Sequence, residues 1–251
     1  MTTTPARTGP VVAPLALVRP DGRAAGCVAA WRAGDGADVD LLAGHLHPEE
    51  AGRLAAMRPR RRREFLLGRY VAKLALSGLT GEPDLRRIRV GAGVLGQPVV
   101  HLPGVRAVQV SLAHCDPVAV AVAAGEETPL GVDVERADER VHRVVDAHLT
   151  ARERALLGVL GDPEEVAAAR LWAAKEALGK ALRTGLTVAL EVLEVHEVDA
   201  AAPAVRMRFT HFPQYAAHTV RAGGFCVALA APWRTVPGPE LVATVAAVGD
   251  G

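Results

Sequence analysis

The spacing of hydrophobic residues in the first half of the chain alternates between the period of a strand and that of a helix. Apolar runs predict strands at 11–18 and 26–32. A proline followed by two acidic residues predicts a helix from 48 to about 57. Apolar residues at helical spacing predict another helix from 64 to 79. From 88 to 124, short apolar runs broken by glycine indicate strands again. This half therefore mixes helices with strands.

The second half shows a similar order of elements. Alternating apolar and acidic residues at 129–135 predict a strand. Capping sequences and acidic first turns then predict helices at 140–147, from 150, and from 162 to about 182. Apolar runs between 188 and 230 predict further strands. The pattern as a whole indicates an α+β protein.

A faint internal echo relates the two halves. Residues 65–80 resemble residues 172–187, which pairs Phe65 with Trp172 and Lys73 with Lys180. Short matches of this kind also arise by chance in a chain rich in alanine, leucine and arginine, so both a duplicated α/β unit and a chance match stay open. A duplication would place a ligand site between the two halves, which is a common location for one.

Composition narrows the class of function. At 251 residues the chain can bury a substantial core, as one large domain or two small ones. Its formal net charge of +1 gives no case for nucleic acid or an anionic membrane as a partner. No apolar run reaches the ~18–20 residues that a membrane helix needs. The three scattered cysteines argue against a disulfide framework or a zinc cluster and favour a cytoplasmic location.

Three carboxylates are the strongest chemical feature. Because side chains alternate along a strand, Asp133 and Glu135 point to the same face. Glu176 and Lys180, four residues apart, share one face of the predicted helix from 162 to about 182. A strand–helix contact can bring all four together. Three carboxylates suit a hard cation such as Mg²⁺, whereas zinc prefers histidine and cysteine ligands, which this group lacks.

Basic residues supply candidate phosphate ligands. A dense basic run at 58–63 includes Arg58 and Arg63, and Arg69 follows it. Guanidinium groups bind phosphate through paired hydrogen bonds, and His114, in a predicted loop, can donate a further one. A metal ion, a carboxylate base and phosphate ligands together indicate attack on a phosphorus centre.

These residues form a two-part motif, Gly131-x-Asp133-x-Glu135 followed by Trp172-x-x-Lys175-Glu176-Ala177-x-x-Lys180. The motif resembles that of 4′-phosphopantetheinyl transferases, specifically the long type that activates surfactin synthetase. Supporting similarities occur at 63–69, 96–98, 111–115 and 184–186, and the resemblance covers roughly residues 45 to 230.

The resemblance implies a fold and a reaction. The fold would be α+β, with two similar α/β halves in a pseudo-twofold arrangement, each a small, mostly antiparallel sheet packed with helices, and a ligand cleft between them. The reaction would be Mg²⁺-dependent transfer of the 4′-phosphopantetheine arm of coenzyme A to a serine of an acyl or peptidyl carrier protein, with release of 3′,5′-ADP. A single chain would suffice, so we expect a monomer.

The resemblance also implies roles for individual residues. Asp133, Glu135 and Glu176 would hold Mg²⁺, and Glu176 would be the base for the carrier serine. Lys180 would stabilise the leaving phosphate. The remaining coenzyme contacts are expected from basic side chains, namely Arg58, Arg63, Arg69, His114 and Lys180.

Four segments are predicted along the chain. Residues 1–10 form a flexible tail, and 11–128 form the N-terminal half. Residues 129–231 form the C-terminal half, which carries the metal motif, and 232–251 form a peripheral tail broken by prolines.

Three positions depart from the family pattern. Ala113 and Cys115 flank His114 where the family often has serine, and Gln97 stands where it has lysine. Each departure removes a phosphate or ribose contact. We therefore expect a weaker or differently arranged grip on coenzyme A, with the chemistry retained.

Other interpretations stay open at this point. A metal-dependent nuclease also uses acidic pairs and a lysine, although its third acid and lysine usually lie on strands. A degenerate homologue would bind coenzyme A or a carrier protein without turnover. Taken singly, Trp172 is expected to pack in the core, and Lys175 to be exposed or structural.

Overall fold

The computed structural model describes residues 9–34, 37–185, 187–200 and 204–249. The predicted flexible tail at 1–10 therefore lies almost wholly outside the described residues, as does Leu186 of the supporting motif.

The described strands are β1 (Val11–Arg19), β2 (Gly22–Arg32), β3 (Arg89–Ala92), β4 (Pro98–His101), β5 (Val108–Cys115), β6 (Val118–Gly125), β7 (Gly131–Arg136), β8 (Val195–Asp199), β9 (Val205–Phe209), β10 (Tyr215–Ala222), β11 (Phe225–Pro232) and β12 (Val236–Pro237). The α-helices are α1 (Pro48–Ala51), α2 (Pro59–Thr80), α3 (Glu139–Asp146), α4 (Ala151–Leu157), α5 (Glu164–Ala181) and α6 (Pro239–Gly249).

Two antiparallel sheets carry the fold. The first has the strand order β12-β1-β2-β6-β5 and the second has the order β7-β11-β10-β9-β8, while β3 and β4 form a separate hairpin. Helix α2 packs on β2, β6 and β5, and α5 packs on β7, β11 and β10. Each helix thus covers one face of its own sheet.

The topology is repeated within the chain. In the first half β2 leads into α2 and then into β3 to β6, and β2 pairs with β6, which pairs with β5. In the second half β7 leads through α3 and α4 into α5 and then into β8 to β11, and β7 pairs with β11, which pairs with β10. The prediction of an α+β fold with two similar α/β halves is confirmed.

Helix α2 begins earlier than its apolar pattern predicts. It starts at Pro59 rather than at 64, so the basic run forms its first turns. Proline suits the first helical position, because its fixed φ is helical and its missing N–H would have no partner there. Gly81, with φ +77°, ends the helix in the left-handed region that favours glycine. The helix predicted from 48 to 57 is also shorter, because α1 ends at Ala51.

The C-terminal segment is not a peripheral tail as predicted from its prolines. Strand β12 pairs with β1, and α6 packs against β1, β2 and β10. Leu241, Val245 and Val248 are buried in the core between the two sheets. Their spacing of four and three residues places them on one face of the helix. The prolines lie before α6 or at its first residue, so they do not interrupt the helix.

None of the described helices is long and apolar enough to cross a membrane.

Candidate functional site

Three carboxylates converge where β7 meets α5. Asp133 and Glu135 lie on the same face of β7, and Glu176 reaches them from α5. One oxygen from each lies within 4.8 Å of the others. Asp133 is buried, and the other two are half-buried. The structure therefore brings together the three residues that the sequence pattern selected.

A glycine permits this close approach of strand and helix. A Cβ placed on Gly131 would lie 2.0 Å from the carbonyl oxygen of Ala177 and 2.5 Å from the backbone nitrogen of Ala181. Both of these atoms belong to the helix backbone and its end, so they cannot move aside as a flexible side chain would. Gly131 thus sets the distance between Asp133 and the acid on α5.

Lys180 ties the cluster to both halves of the chain. Its Nζ donates to Asp133 Oδ1 at 2.7 Å, to the carbonyl of Val132 at 3.1 Å and to that of Leu112 at 3.3 Å. An ammonium group has three N–H donors, so these three acceptors use all of them. Leu112 lies on β5, and the neighbouring Ser111 Oγ accepts from the Val132 N–H at 2.9 Å. The edges of the two sheets therefore meet beside the acids.

Crowding of negative charge in a buried setting perturbs the acids. Burial, with the charges of Asp133 and Glu176, raises the pKa of Glu135 to about 8. Burial and the charge of Asp133 raise the pKa of Glu176 to about 7. Burial also raises the pKa of Asp133, against the opposing effect of Lys180. A bound cation would oppose this effect, because it favours the ionised form of all three carboxylates.

The donor set fits Mg²⁺. All three groups offer oxygen ligands, and Asp133 Oδ2 is buried with no hydrogen-bond donor among the described residues. A buried acceptor without a partner is costly, and coordination to a cation would satisfy it.

Trp172 belongs to the site as well as to the core. Burial raises the pKa of Glu135 and of Glu176, and an interaction with the Trp172 side chain offsets part of that rise. Its ring also packs beside the helical core of this half and lies 5.9 Å from the His148 ring. The expectation of core packing alone missed this interaction, although the four-residue spacing placed Trp172 and Glu176 on one face of the predicted helix.

A cavity of about 320 Å³ lies between the halves and reaches the cluster through Lys180. The N-terminal half contributes Arg61, Arg69 and the loop at 95–98, and the C-terminal half contributes Lys180 and Arg183. The predicted cleft between the halves is therefore present. Arg61 and Arg183 were not selected individually from the sequence.

The predicted basic ligands divide by their position on α2. Arg69 lines the cavity, with its guanidinium carbon 4.9 Å from the Phe65 ring centre. Arg58 is exposed at the start of the helix, and Arg63 pairs with Asp116 at 3.1 Å. Of these three, only Arg69 is among the residues that line the described cavity. A helix turns by about 100° per residue, which directs Arg63 away from the side that Arg61 occupies.

His114 lies on β5 rather than in the predicted loop. It is half-buried, and a Cβ on Gly68 of α2 would lie 3.6 Å from its ring. Burial lowers its pKa, so His114 is a neutral donor at neutral pH. Burial raises the pKa of the adjacent Cys115 thiol, which keeps it protonated and poorly nucleophilic. Gln97 lines the cavity, but its Oε1 accepts from the Leu95 N–H at 3.0 Å within the hairpin.

The raised pKa values predict a pH-dependent stability of the metal-free protein. Between the ordinary glutamate value of 4.5 and the folded values of about 7 and 8, the folded state holds protons that the unfolded chain has released. Stability should therefore fall as pH rises through that window, and level off above it. Melting temperatures in chelator across this range would check the slope. Mg²⁺ should flatten it, and an identical slope in Glu135→Gln would contradict the assignment.

Family models match both halves. Residues 129–230 match the 4′-phosphopantetheinyl transferase superfamily, and residues 49–124 match the 4′-phosphopantetheinyl transferase N-terminal domain. A search of curated proteins found no significant match.

A search of solved structures returned partial matches to holo-(acyl-carrier-protein) synthases. A holo-(acyl-carrier-protein) synthase from Bacillus anthracis, in complex with CoA (3′,5′-ADP), is 20% identical, with a TM-score of 0.35 over 44% of this chain and 96% of that one. The holo-[acyl-carrier-protein] synthase of Thermotoga maritima is also 20% identical, with a TM-score of 0.33 over 53% of this chain and 74% of that one. At these scores the comparison adds nothing to the assignment. The two family matches, which together span well over half of the chain and meet where its halves join, show that this protein is an enzyme of the 4′-phosphopantetheinyl transferase family.

Proposed function

We propose that this enzyme transfers the 4′-phosphopantetheine arm of coenzyme A to a serine hydroxyl of an acyl or peptidyl carrier protein, with Mg²⁺ as cofactor and 3′,5′-ADP as the second product. The observation that carries the proposal is the convergence of three carboxylates and Lys180 at the edge of the cavity between the halves. One chain supplies both walls of that cavity, which supports a monomer as the active form.

The three acids would bind the metal ion, and one of them would also accept a proton. When bound by Asp133, Glu135 and Glu176, Mg²⁺ would neutralise negative charge on the pyrophosphate of coenzyme A. Glu176 would take the proton of the carrier serine as its oxygen forms a bond to the phosphorus of the arm. The bond from that phosphorus to the 3′,5′-ADP oxygen breaks, and the electron pair leaves on ADP. Burial and the charge of Asp133 raise the pKa of Glu176 to about 7 in the metal-free protein, and a bound cation would lower it, which leaves the carboxylate ionised and able to accept a proton near neutral pH.

Lys180 would stabilise the departing phosphate. All three of its donors have acceptors within the protein, so it must release one of them to bind substrate. The carbonyl of Leu112, at 3.3 Å, is the most distant of the three acceptors, so the hydrogen bond to it should break most easily. Coenzyme binding would thus loosen one link between β5 and α5 while Asp133 keeps its counter-ion.

Arginines on one side of α2 would hold coenzyme phosphates. Arg61→Ala should raise KM for coenzyme A about 10-fold or more with little change in kcat, because a hydrogen bond to a charged group contributes about 1.5–3 kcal/mol. The side chain of Arg61 is 63% exposed, so the variant should fold. Steady-state kinetics check the effect. Arg63→Ala removes the same charge two residues away and should leave KM within about 3-fold; equal effects would contradict this division of the basic run.

Intact mass spectrometry of apo carrier proteins tests the proposed function. Incubation with coenzyme A, Mg²⁺ and this enzyme should add one phosphopantetheine arm, and the gain should disappear with chelator or with Glu176→Ala. A fatty-acid, a polyketide and a nonribosomal peptide carrier should be included, because the site does not distinguish them. An unchanged mass of every carrier, with coenzyme A bound, would favour the binding-only alternative. Modification that persists in chelator would overturn the Mg²⁺ requirement.

A further inference from the structure

A buried ion pair fastens α2 to the elements around it. Lys73 is fully buried; its Nζ lies 2.6 Å from Glu50 Oε2 in an ion pair and donates to the carbonyls of Leu85 and Ile88. Glu50, also buried, accepts from the backbone N–H of His47 at 2.9 Å and from that of Val90 at 3.0 Å. One carboxylate thus links the start of α1, the middle of α2 and the start of the β3–β4 hairpin.

The C-terminal half contains a corresponding buried ion pair. Lys175 is 1% exposed, and its Nζ donates to the fully buried Glu153 at 2.9 Å. Glu153 accepts from the backbone N–H of Thr150 at 3.0 Å and from that of Val195 at 3.0 Å. This carboxylate links the start of α4, the middle of α5 and the first residue of β8.

These matching contacts correct the register of the internal echo. The echo paired Lys73 with Lys180, whereas the contacts pair Lys73 with Lys175. The residue after the buried lysine is then Leu74 in one half and Glu176 in the other. The duplicated structural pair therefore stands beside an apolar residue in the first half and beside a carboxylate of the acid cluster in the second.

Helix α5 is consequently held from two sides. On the side of β7, Gly131 allows backbone contact with Ala177. On another side, the Lys175–Glu153 pair binds α5 to α4 and β8. Glu176 lies about 100° around the helix from Lys175. Because the two residues turn together with the helix, a contact that holds Lys175 in place also fixes the direction of Glu176. Two such contacts fix both the distance of α5 from β7 and its rotation.

We propose that Lys175 and Glu153 are positioning residues, which hold Glu176 in register with Asp133 and Glu135. The proposal rests on the proposed function, because it assigns the pair to the assembly of the Mg²⁺ site. Both residues are buried, and neither lines the described cavity. Loss of a group that orients a metal ligand typically lowers metal affinity or activity about 10–100-fold.

The test compares Lys175→Met, Lys175→Gln and Lys73→Met with the wild-type enzyme, at a temperature where circular dichroism shows all of them folded. The readouts are kcat, KM for coenzyme A, the Mg²⁺ concentration at half-maximal rate, and the rise in melting temperature that Mg²⁺ produces without turnover. Lys175→Met should lower kcat and raise the half-saturating Mg²⁺ about 10–100-fold, with KM for coenzyme A nearly unchanged. Lys175→Gln keeps a donor for Glu153 and should recover part of the loss.

Lys73→Met is the matched control. It removes the corresponding buried pair, together with two hydrogen bonds to the carbonyls of Leu85 and Ile88, and should lower the melting temperature but leave the half-saturating Mg²⁺ unchanged. If Lys175→Met does not fold, Lys175→Gln carries the test. Wild-type Mg²⁺ dependence in both Lys175 variants, or an equal shift in Lys73→Met, would overturn the positioning role alone. A wild-type enzyme indifferent to Mg²⁺ would overturn the proposed function, and the positioning role with it.

Discussion

Glu176→Gln is expected to lower kcat about a thousandfold, within the range of about 10²–10⁴ found for general bases. Glutamine keeps the size of the side chain but cannot accept the serine proton, and it removes one negative charge from the cluster. KM for coenzyme A should change far less, because the phosphate ligands of the cavity lie on other residues. Single-turnover transfer at saturating Mg²⁺ would separate the chemical step from metal binding.

Glu164→Gln provides the matched control for this prediction. It makes the same substitution on the same helix, but its side chain is 66% exposed and remote from the acids. Its kcat should equal that of the wild type. A Glu176→Gln enzyme that retains more than about a tenth of wild-type kcat at saturating Mg²⁺ would show that another group accepts the proton.

Gly131→Ala is expected to reduce activity about 100-fold or more, since a displacement of about 1 Å at a catalytic site can cost that much. The added methyl would meet the carbonyl oxygen of Ala177 at 2.0 Å, so α5 must move away from β7. That movement separates Glu176 and Lys180 from Asp133. Overpacking should also lower the free energy of unfolding by about 1–3 kcal/mol.

Gly158→Ala is the control glycine for this experiment. A Cβ there would meet nothing within 4 Å, and its φ of −70° is compatible with alanine. Activity, Mg²⁺ half-saturation and urea denaturation should all match the wild type. If Gly131→Ala lost stability but kept full kcat in the folded fraction, the close approach of α5 to β7 would be structural only.

Local periodicity predicted the parts of the site that lie on single elements. Alternation along β7 placed Asp133 and Glu135 on one face, and the four-residue spacing on α5 did the same for Glu176 and Lys180. Their meeting across the strand–helix contact was an inference from chemistry, and the structure brings them together.

Periodicity failed where a residue's partner lies on another element. It did not show that Lys175 is buried, because its acceptor Glu153 lies 22 residues earlier on a separate helix. It did not separate Arg61 from Arg63, because both stood in a basic run whose helical state became evident only from the start of α2 at Pro59. The packing of α6 was also not predicted, because its apolar face is buried only by contacts with both sheets, through strands that are distant from it in sequence.

The sequence by itself determined the chemistry of this protein: three carboxylates and a lysine on defined faces of a strand and a helix, in the motif of its family. Tertiary structure alone decided the charge state and the geometry of those groups. The pKa values of Glu135 and Glu176 rise because folding buries them next to other acids, and Lys180 is held by acceptors on β5 and β7. Periodicity specifies the face on which a side chain lies. Burial and partners depend on what packs against that face, which contacts distant in sequence determine.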